Sequence, residues 1–393
     1  MRFLALLLLV AAPCLAAEGP APEGTIAEAA GATPVFSGTI TLGATFPLSG
    51  DLETYGQSAF YGAVTRIKLI NAAGGVNGKR LVLEWRDNGS DPAQAARDVE
   101  DLVANHRVPA VLGPLLSEAV LAVRPVAEAL EVVIVSPMAA IDAIAKQDPW
   151  VFRACFNNSA QAEALVRFQM EKYGARSCGI LYDPRYGFCA ELADIFERKM
   201  AERGGAVVGK LPFTGGDGAR DYRTPLLELA GKNPDFIMVV SYALEATEIV
   251  REAKKSGVPI RLCGPHTWDN ELVFDGSGTR LGGACFASAM FEQGFSYRPF
   301  RVFFEAMEDA GMDNPDAQAA CAYDAVTLLA RALETGETPR DIKKGLLAIK
   351  RLALATGRTS IAPDGNAIKP VLIRIVERVR DRMVPVYAER YDP

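Results

Sequence analysis

The chain has 393 residues, more than one ordinary domain holds and enough for two, each with a sizeable core. Hydrophobic residues make up 49% and charged residues 23%, which excludes a disordered chain. The net charge is −6, no long basic run occurs, and His106 and His266 are the only histidines. These facts exclude a nucleic-acid footprint and a histidine-rich metal site.

Met1-Arg2 gives a positive start, Phe3 to Ala12 is apolar, and small residues precede Glu18. This pattern predicts a secretory signal over 1–17, cut after Ala16 or Ala17. The apolar run is short of the roughly 20 residues that span a bilayer. Pro13 disfavours a lipoprotein anchor on Cys14. Residues 18–38, rich in Ala, Gly, Pro and Glu, predict a flexible leader. Cys155, Cys178, Cys189, Cys263, Cys285 and Cys321 remain after cleavage. An even count in an oxidising compartment permits disulfides, but spacing does not choose between pairs and buried thiols. Cys263 and Cys285 each fall in a predicted strand and could pair, and Cys178 and Cys189 flank one strand–helix unit.

Strands and helices then alternate. Thr39 to Ala44 reads as a strand and Ser58 to Asn71 as a helix with Phe60, Ala63, Val64, Ile67 and Ile70 on one face. Gly74 to Gly78 stops it. Strands follow at 81–85, 110–113 and 132–135, with helices at 91–105 and 117–130 between them. The pattern resumes after residue 155. Helices are predicted at 161–173, up to Arg203, at 225–230 and at 244–255. Strands are predicted at 177–182, 206–210, 236–240 and 260–263. Such alternation predicts α/β architecture, with parallel sheets covered by helices. About eight units exceed one small sheet, so two doubly wound lobes are expected, with a ligand cleft at the carboxyl ends of the strands.

Enzyme and metal motifs are absent. GGVNGK at 74–79 lacks the phosphate-loop gap and Ser/Thr ending, and no GxGxxG follows the first strand. No GxSxG elbow occurs. Gly215 to Gly218 resembles a calcium loop only at Asp217, since the further acidic ligands are missing. No cofactor is implied.

Ordered short motifs run along the chain: Phe46-Pro47-Leu48-Ser49-Gly50 with Tyr55-Gly56, then Ile70 to Gly78, Asp87 to Pro92 and Gly113 to Ser117. Val151-Phe152-Arg153, Tyr182-Asp183 with Tyr186-Gly187, and Asp221-Tyr222 with Leu226-Leu227 follow. Asn233-Pro234-Asp235 and Ala322-Tyr323-Asp324-Ala325 complete the series. In this order they resemble the branched-chain amino-acid type of periplasmic solute-binding protein, in the type I periplasmic-binding fold. The resemblance implies two doubly wound parallel-sheet lobes joined by hinge strands. Lobe 1 would take 38–155 and 289–353, and lobe 2 would take 156–288 and 354–393. Crossings near Arg153, Ala287 and Thr356 would form the hinge.

The resemblance also implies site positions. Ser117 stands at a helix start where the family holds a ligand carboxylate; it also suits a helix cap. Tyr55, Tyr186 and Tyr242 match aromatic or polar positions around the ligand. The loop Ser136-Pro137-Met138-Ala139-Ala140 offers Ala140 where amino-acid binders place a hydroxyl. His266 stands where they place an acid. Met138 and Ala139 belong to that same loop. Alanine cannot accept a bond from an ammonium, and histidine is a poorer partner than a carboxylate. The expected ligand is therefore a small carboxylate, amide or amino-acid-like molecule, and these two departures favour one without an α-ammonium. The expected function is non-catalytic: a monomer in the periplasm that closes on a small solute and delivers it to an ABC transporter permease. The rival reading is a ligand sensor of the same fold with a separate membrane partner.

Overall fold

The computed structural model describes residues 24–25, 34–214, 220–270, 272–273, 282–291, 295–379 and 382–392. The expected signal segment and the Gly215 to Gly218 loop lie outside these residues. Two sheets form the framework. The first has the order β1-β3-β2-β4-β5-β6. Its strands are β1 Gly24–Thr25, β2 Gly38–Phe46, β3 Lys79–Asp87, β4 Ala110–Leu112, β5 Val133–Ser136 and β6 Val151–Arg153. All pair in parallel except β1, two residues of the expected leader that run antiparallel beside Trp85 and Glu84. Strands β4 and β5 are buried at every position, as helix-covered parallel strands require.

Helices α1 Glu53–Ala72, α2 Pro92–His106 and α3 Ser117–Leu130 cover this sheet. Helix α3 and β4 fall within one residue of their predicted bounds. Helix α1 begins five residues before the predicted Ser58. Its first turn carries no apolar stripe of its own, yet Tyr55 is buried against the other lobe. At the other end Gly75, at φ +77°, turns the chain so that its N–H reaches Ile70 O at 2.9 Å, and a Cβ there would meet Lys79 O at 1.9 Å. Only glycine tolerates that turn.

The second sheet has the order β16-β15-β11-β10-β9-β7-β8. It comprises β7 Ser177–Tyr182, β8 Ala206–Pro212, β9 Phe236–Val240, β10 Arg261–Gly264, β11 Cys285–Ser288, β15 Val371–Val379 and β16 Arg382–Tyr391. Helices α4 Asn158–Tyr173, α5 Gly187–Glu202, α6 Arg223–Gly231 and α7 Ala243–Lys255 accompany it. The sheet is parallel from β8 to β11, and the β15–β16 hairpin adds an antiparallel edge. Cys263 and Cys285 are register partners, with their sulfurs 3.4 Å apart. That exceeds a disulfide bond of about 2.05 Å. All six described cysteines are buried thiols.

Between β11 and β15 the chain returns to the first lobe. Helix Ala317–Leu333 packs along α1, and a small sheet forms from β12 Leu352–Leu354, β13 Gly357–Ile361 and β14 Ala367–Ile368. The sequence reading begins the second lobe's last segment at residue 354. Here Asp364 O accepts from Lys146 N–H and Gly365 O from Arg153 N–H, so 354–368 hold to the first lobe's edge. Sheet membership changes only at Val371. The physical cause is that backbone pairing, invisible in sequence, sets where the strand hands over.

Candidate functional site

The carboxyl ends of both parallel sheets face one cleft. A cavity there bounds about 300 Å³ of empty space, part of it open to solvent. The first lobe contributes Tyr55, Leu115, Leu116, Ser117, Met138 and Gln318 to its wall. The second contributes Phe188, Tyr242, His266 and Thr267.

Three helices begin at this cleft, and none has a side chain capping its own N-terminus. Their N-cap residues are Leu116 for α3, Tyr186 for α5 and Tyr242 for α7. Leucine and tyrosine are poor caps, so the first-turn N–H groups and the partial positive charge must be met otherwise. The first lobe supplies two of the partners across the gap. Glu118 Oε1 accepts from Phe188 N–H at 3.0 Å, in the first turn of α5. Tyr55 Oη accepts from Ala243 N–H at 2.8 Å, in the first turn of α7, and donates to Thr267 O at 2.8 Å. Burial pushes the Tyr55 phenol well above its usual range, so it stays protonated and can donate. A third link runs from Asp142 N–H to Glu191 Oε2 at 2.8 Å. The lobes are thus latched directly.

The α3 terminus receives no such partner from the second lobe among the described contacts. Leu116 and Ser117 lie on the cavity wall, and Ser117 Oγ accepts from Ile141 N–H at 3.3 Å. A helix start so placed suits an anion.

His266 sits in the single turn His266–Trp268 after β10. Its Nδ1 lies 3.1 Å from Gln161 Oε1, and its ring packs on the edges of Phe156 and Phe188. Burial lowers its pKa to about 4, partly opposed by a hydrogen bond to the Met138 backbone. The imidazole is neutral at physiological pH. None of the ten wall residues bears a carboxylate, so the wall offers an ammonium no counter-charge.

Of the residues singled out from sequence, Tyr55, Ser117, Met138, Tyr242 and His266 meet at the cavity. Ala139, Ala140 and Tyr186 do not reach its wall. Arg153 Nη1 draws in the Ala139 carbonyl at 3.1 Å, and Asn158 N–H holds that of Ala140 at 2.7 Å. Tyr186 stands behind Tyr242, with ring centres 4.8 Å apart. Sequence reasoning missed Leu115, Leu116, Phe188, Thr267 and Gln318. Four of these neighbour residues it did name. Gln318 carried one signal, a lone amide in an alanine-rich helix.

Beneath the cavity, the Gln318 amide satisfies its neighbours when its nitrogen is assigned to the side facing Asp316 Oδ2 at 3.0 Å and the Asp269 carbonyl of the second lobe at 3.2 Å. Burial raises the Asp316 carboxyl to about 7, against the lowering effect of the Ser58 hydroxyl and Ala319 N–H. A raised acid pKa means the folded state binds the proton more tightly than the unfolded chain does. Its stability contribution is therefore full at low pH and is lost as pH climbs from about 4 to about 7. The expected result is a wild-type melting temperature that falls across this window more steeply than that of Asp316→Asn, which keeps a capping side chain. Parallel slopes in paired thermal melts from pH 4.5 to 8 would rule out this titration.

A family model described as "Periplasmic binding protein" matches residues 39–380. The Leu/Ile/Val-binding protein of Citrobacter freundii is 26% identical over 316 residues, covering 80% of this chain and 84% of that protein. The branched-chain amino-acid transporter substrate-binding protein LivJ of Streptococcus pneumoniae, solved with isoleucine, is 28% identical with a TM-score of 0.80. That alignment covers 89% of this chain and 99% of LivJ. A solute-binding protein of an ABC transporter from Rhodopseudomonas palustris, solved with 3,4-dihydroxybenzoic acid, shares the fold at 19% identity and a TM-score of 0.79. It covers 90% of this chain and 97% of its own. The first of these is described as an amino-acid-binding protein, and the other two as solute- or substrate-binding proteins of transporters. With its matched span, its two-lobed fold and its latched cleft, this chain belongs to the periplasmic binding protein family.

Proposed function

We propose that this protein is the exported solute-binding component of an ABC importer, and that its cleft closes on a small carboxylate or amide lacking an α-ammonium. The observation that carries the ligand chemistry is the pairing of an uncapped α3 N-terminus with a wall free of carboxylates. The helix start satisfies an anion. A buried ammonium facing neutral His266 would stay unpaired, which costs several kcal/mol. Tyr242 and Phe188 offer apolar faces to a ligand body. The fold accommodates either chemistry, since it holds isoleucine in one relative and a dihydroxybenzoate in another. Contacts from both lobes exist only in the closed state, so ligand selects that state for a permease to read. Export through the signal over 1–17 and a monomeric state belong to the same reading.

A thermal-shift panel tests it. Benzoate, 4-hydroxybenzoate and 4-methylpentanoate, with their amides, are compared with leucine and isoleucine. At least one ammonium-free compound is expected to raise the melting temperature by mass action, and the amino acids are not. His266→Glu supplies the missing counter-charge and is expected to strengthen leucine binding at least tenfold. Tight leucine binding by the unaltered protein would overturn the ligand chemistry.

A further inference from the structure

A second cavity opens on the first lobe, away from the cleft, and takes in about 670 Å³ of empty space, part of it open to solvent. It lies between α1, helix Arg298–Asp309, helix Ala317–Leu333 and the segment Ala353–Ala355. One of its walls adjoins a chain crossing between the lobes, the one between β11 and Arg298. The cavity therefore sits beside the hinge.

Its charge is unbalanced. Arg66 is half-buried and held in place: Nε donates to Thr327 Oγ1 at 2.9 Å and Nη1 to Tyr323 Oη at 3.3 Å. Its guanidinium lies over the Tyr323 ring, 5.0 Å from the centroid. These partners are neutral. Arg298 is exposed and lines the same cavity. Among the described residues neither arginine is ion-paired with a carboxylate. The one carboxylate on the wall, Asp324, is committed elsewhere. It accepts from Ala355 N–H at 2.8 Å, from Thr356 N–H at 2.9 Å and from the Thr356 hydroxyl, beside Lys369.

The helix beginning at Arg298 adds to this field. Its N-cap is Tyr297, which makes no capping bond, and its first turn holds no acid. Arg298 and Pro299 from that turn line the cavity. A cation at an uncapped helix start is electrostatically unfavourable, and an anion bound between the two arginines relieves it. Guanidinium groups match oxyanions geometrically, because each can donate two parallel bonds.

We infer that this hinge-side cavity is a second ligand site, selective for a small multivalent oxyanion held between Arg66 and Arg298. The inference stands whether or not the cleft binds a carboxylate. The site joins α1 to the helix that follows the hinge crossing.

The test titrates the full protein with sodium sulfate against sodium chloride at matched ionic strength, reading melting temperature and calorimetric heat. Malonate in a parallel arm separates an inorganic oxyanion from a dicarboxylate as the preferred form. A saturable sulfate or malonate effect is expected over the linear rise that excluded salts give to any protein. Arg298→Gln is expected to weaken that saturable component at least tenfold, and Arg66→Gln to do the same. Arg298 is exposed, so its variant reports even where loss of the Arg66 contacts impairs folding. Arg340→Gln, an exposed arginine outside the cavity, is expected to leave the sulfate effect unchanged. Indistinguishable salts would overturn the inference. So would a saturable sulfate effect that survives Arg298→Gln.

Discussion

Tyr55→Phe is expected to open the cleft and to weaken binding of the best acid from the panel roughly a hundredfold. The Tyr55 hydroxyl both accepts from Ala243 N–H and donates to Thr267 O across the gap. Phenylalanine keeps the ring contact with Tyr242, whose centroid lies 5.7 Å away, so packing is preserved. What is lost is the pairing of two buried backbone groups. In the open state water satisfies them. In the closed state of the variant nothing does, and each unmet group costs about 1–3 kcal/mol. A net loss of about 3 kcal/mol from the closed state is about two factors of ten in affinity. Small-angle scattering should show a larger radius of gyration for the variant without ligand, and calorimetry the weaker binding. Unchanged affinity together with unchanged scattering would show that the latch does not govern closure.

Gly62→Ala is expected to destabilise the first lobe by about 3 kcal/mol, the cost of overpacking against a rigid neighbour. A Cβ at Gly62 would stand 2.1 Å from Ala319 O and 2.7 Å from Ala319 Cα. Both atoms are backbone, so no side chain can rotate away. The gain of roughly 1 kcal/mol in helix propensity from glycine to alanine is too small to compensate. Helix α1 and helix Ala317–Leu333 must part, and they carry Tyr55 and Gln318 to the cleft. Weaker latching should therefore accompany the lower stability. Gly231→Ala is the control: it stands at the end of α6 with nothing within 4 Å of the added carbon. Urea melts of both variants check the contrast, and equal midpoints would mean that the helix contact is not limiting.

How much of the site was legible depends on the distance between its parts. Ser117 could be placed because the family resemblance puts a ligand carboxylate at a helix start after a strand, and α3 does start there. His266 could be questioned because the family resemblance implies an acid at its position, and an imidazole offers an ammonium less than a carboxylate does. The inward turn of the Ala139 and Ala140 carbonyls depends instead on the Arg153 guanidinium and the Asn158 N–H, groups whose positions follow from packing. Leu116 read as an ordinary apolar residue. Its importance lies in what it fails to do as a cap, and that emerges only when its helix start meets a cavity.

By itself the sequence determined the alternation of strands and helices, the two-lobed α/β architecture and the lack of a charged partner at position 266. These are local properties, set by the hydrophobic period over a few residues and by residue type. Only the tertiary structure decided that Tyr55 caps a helix 188 residues away, that Glu118 caps another 70 residues away, and that two arginines share a cavity beside the hinge. Such pairings join groups whose separation along the chain carries no periodic signal. They exist because two independently folded walls are brought face to face, and each leaves unmet the hydrogen bonds that the other supplies.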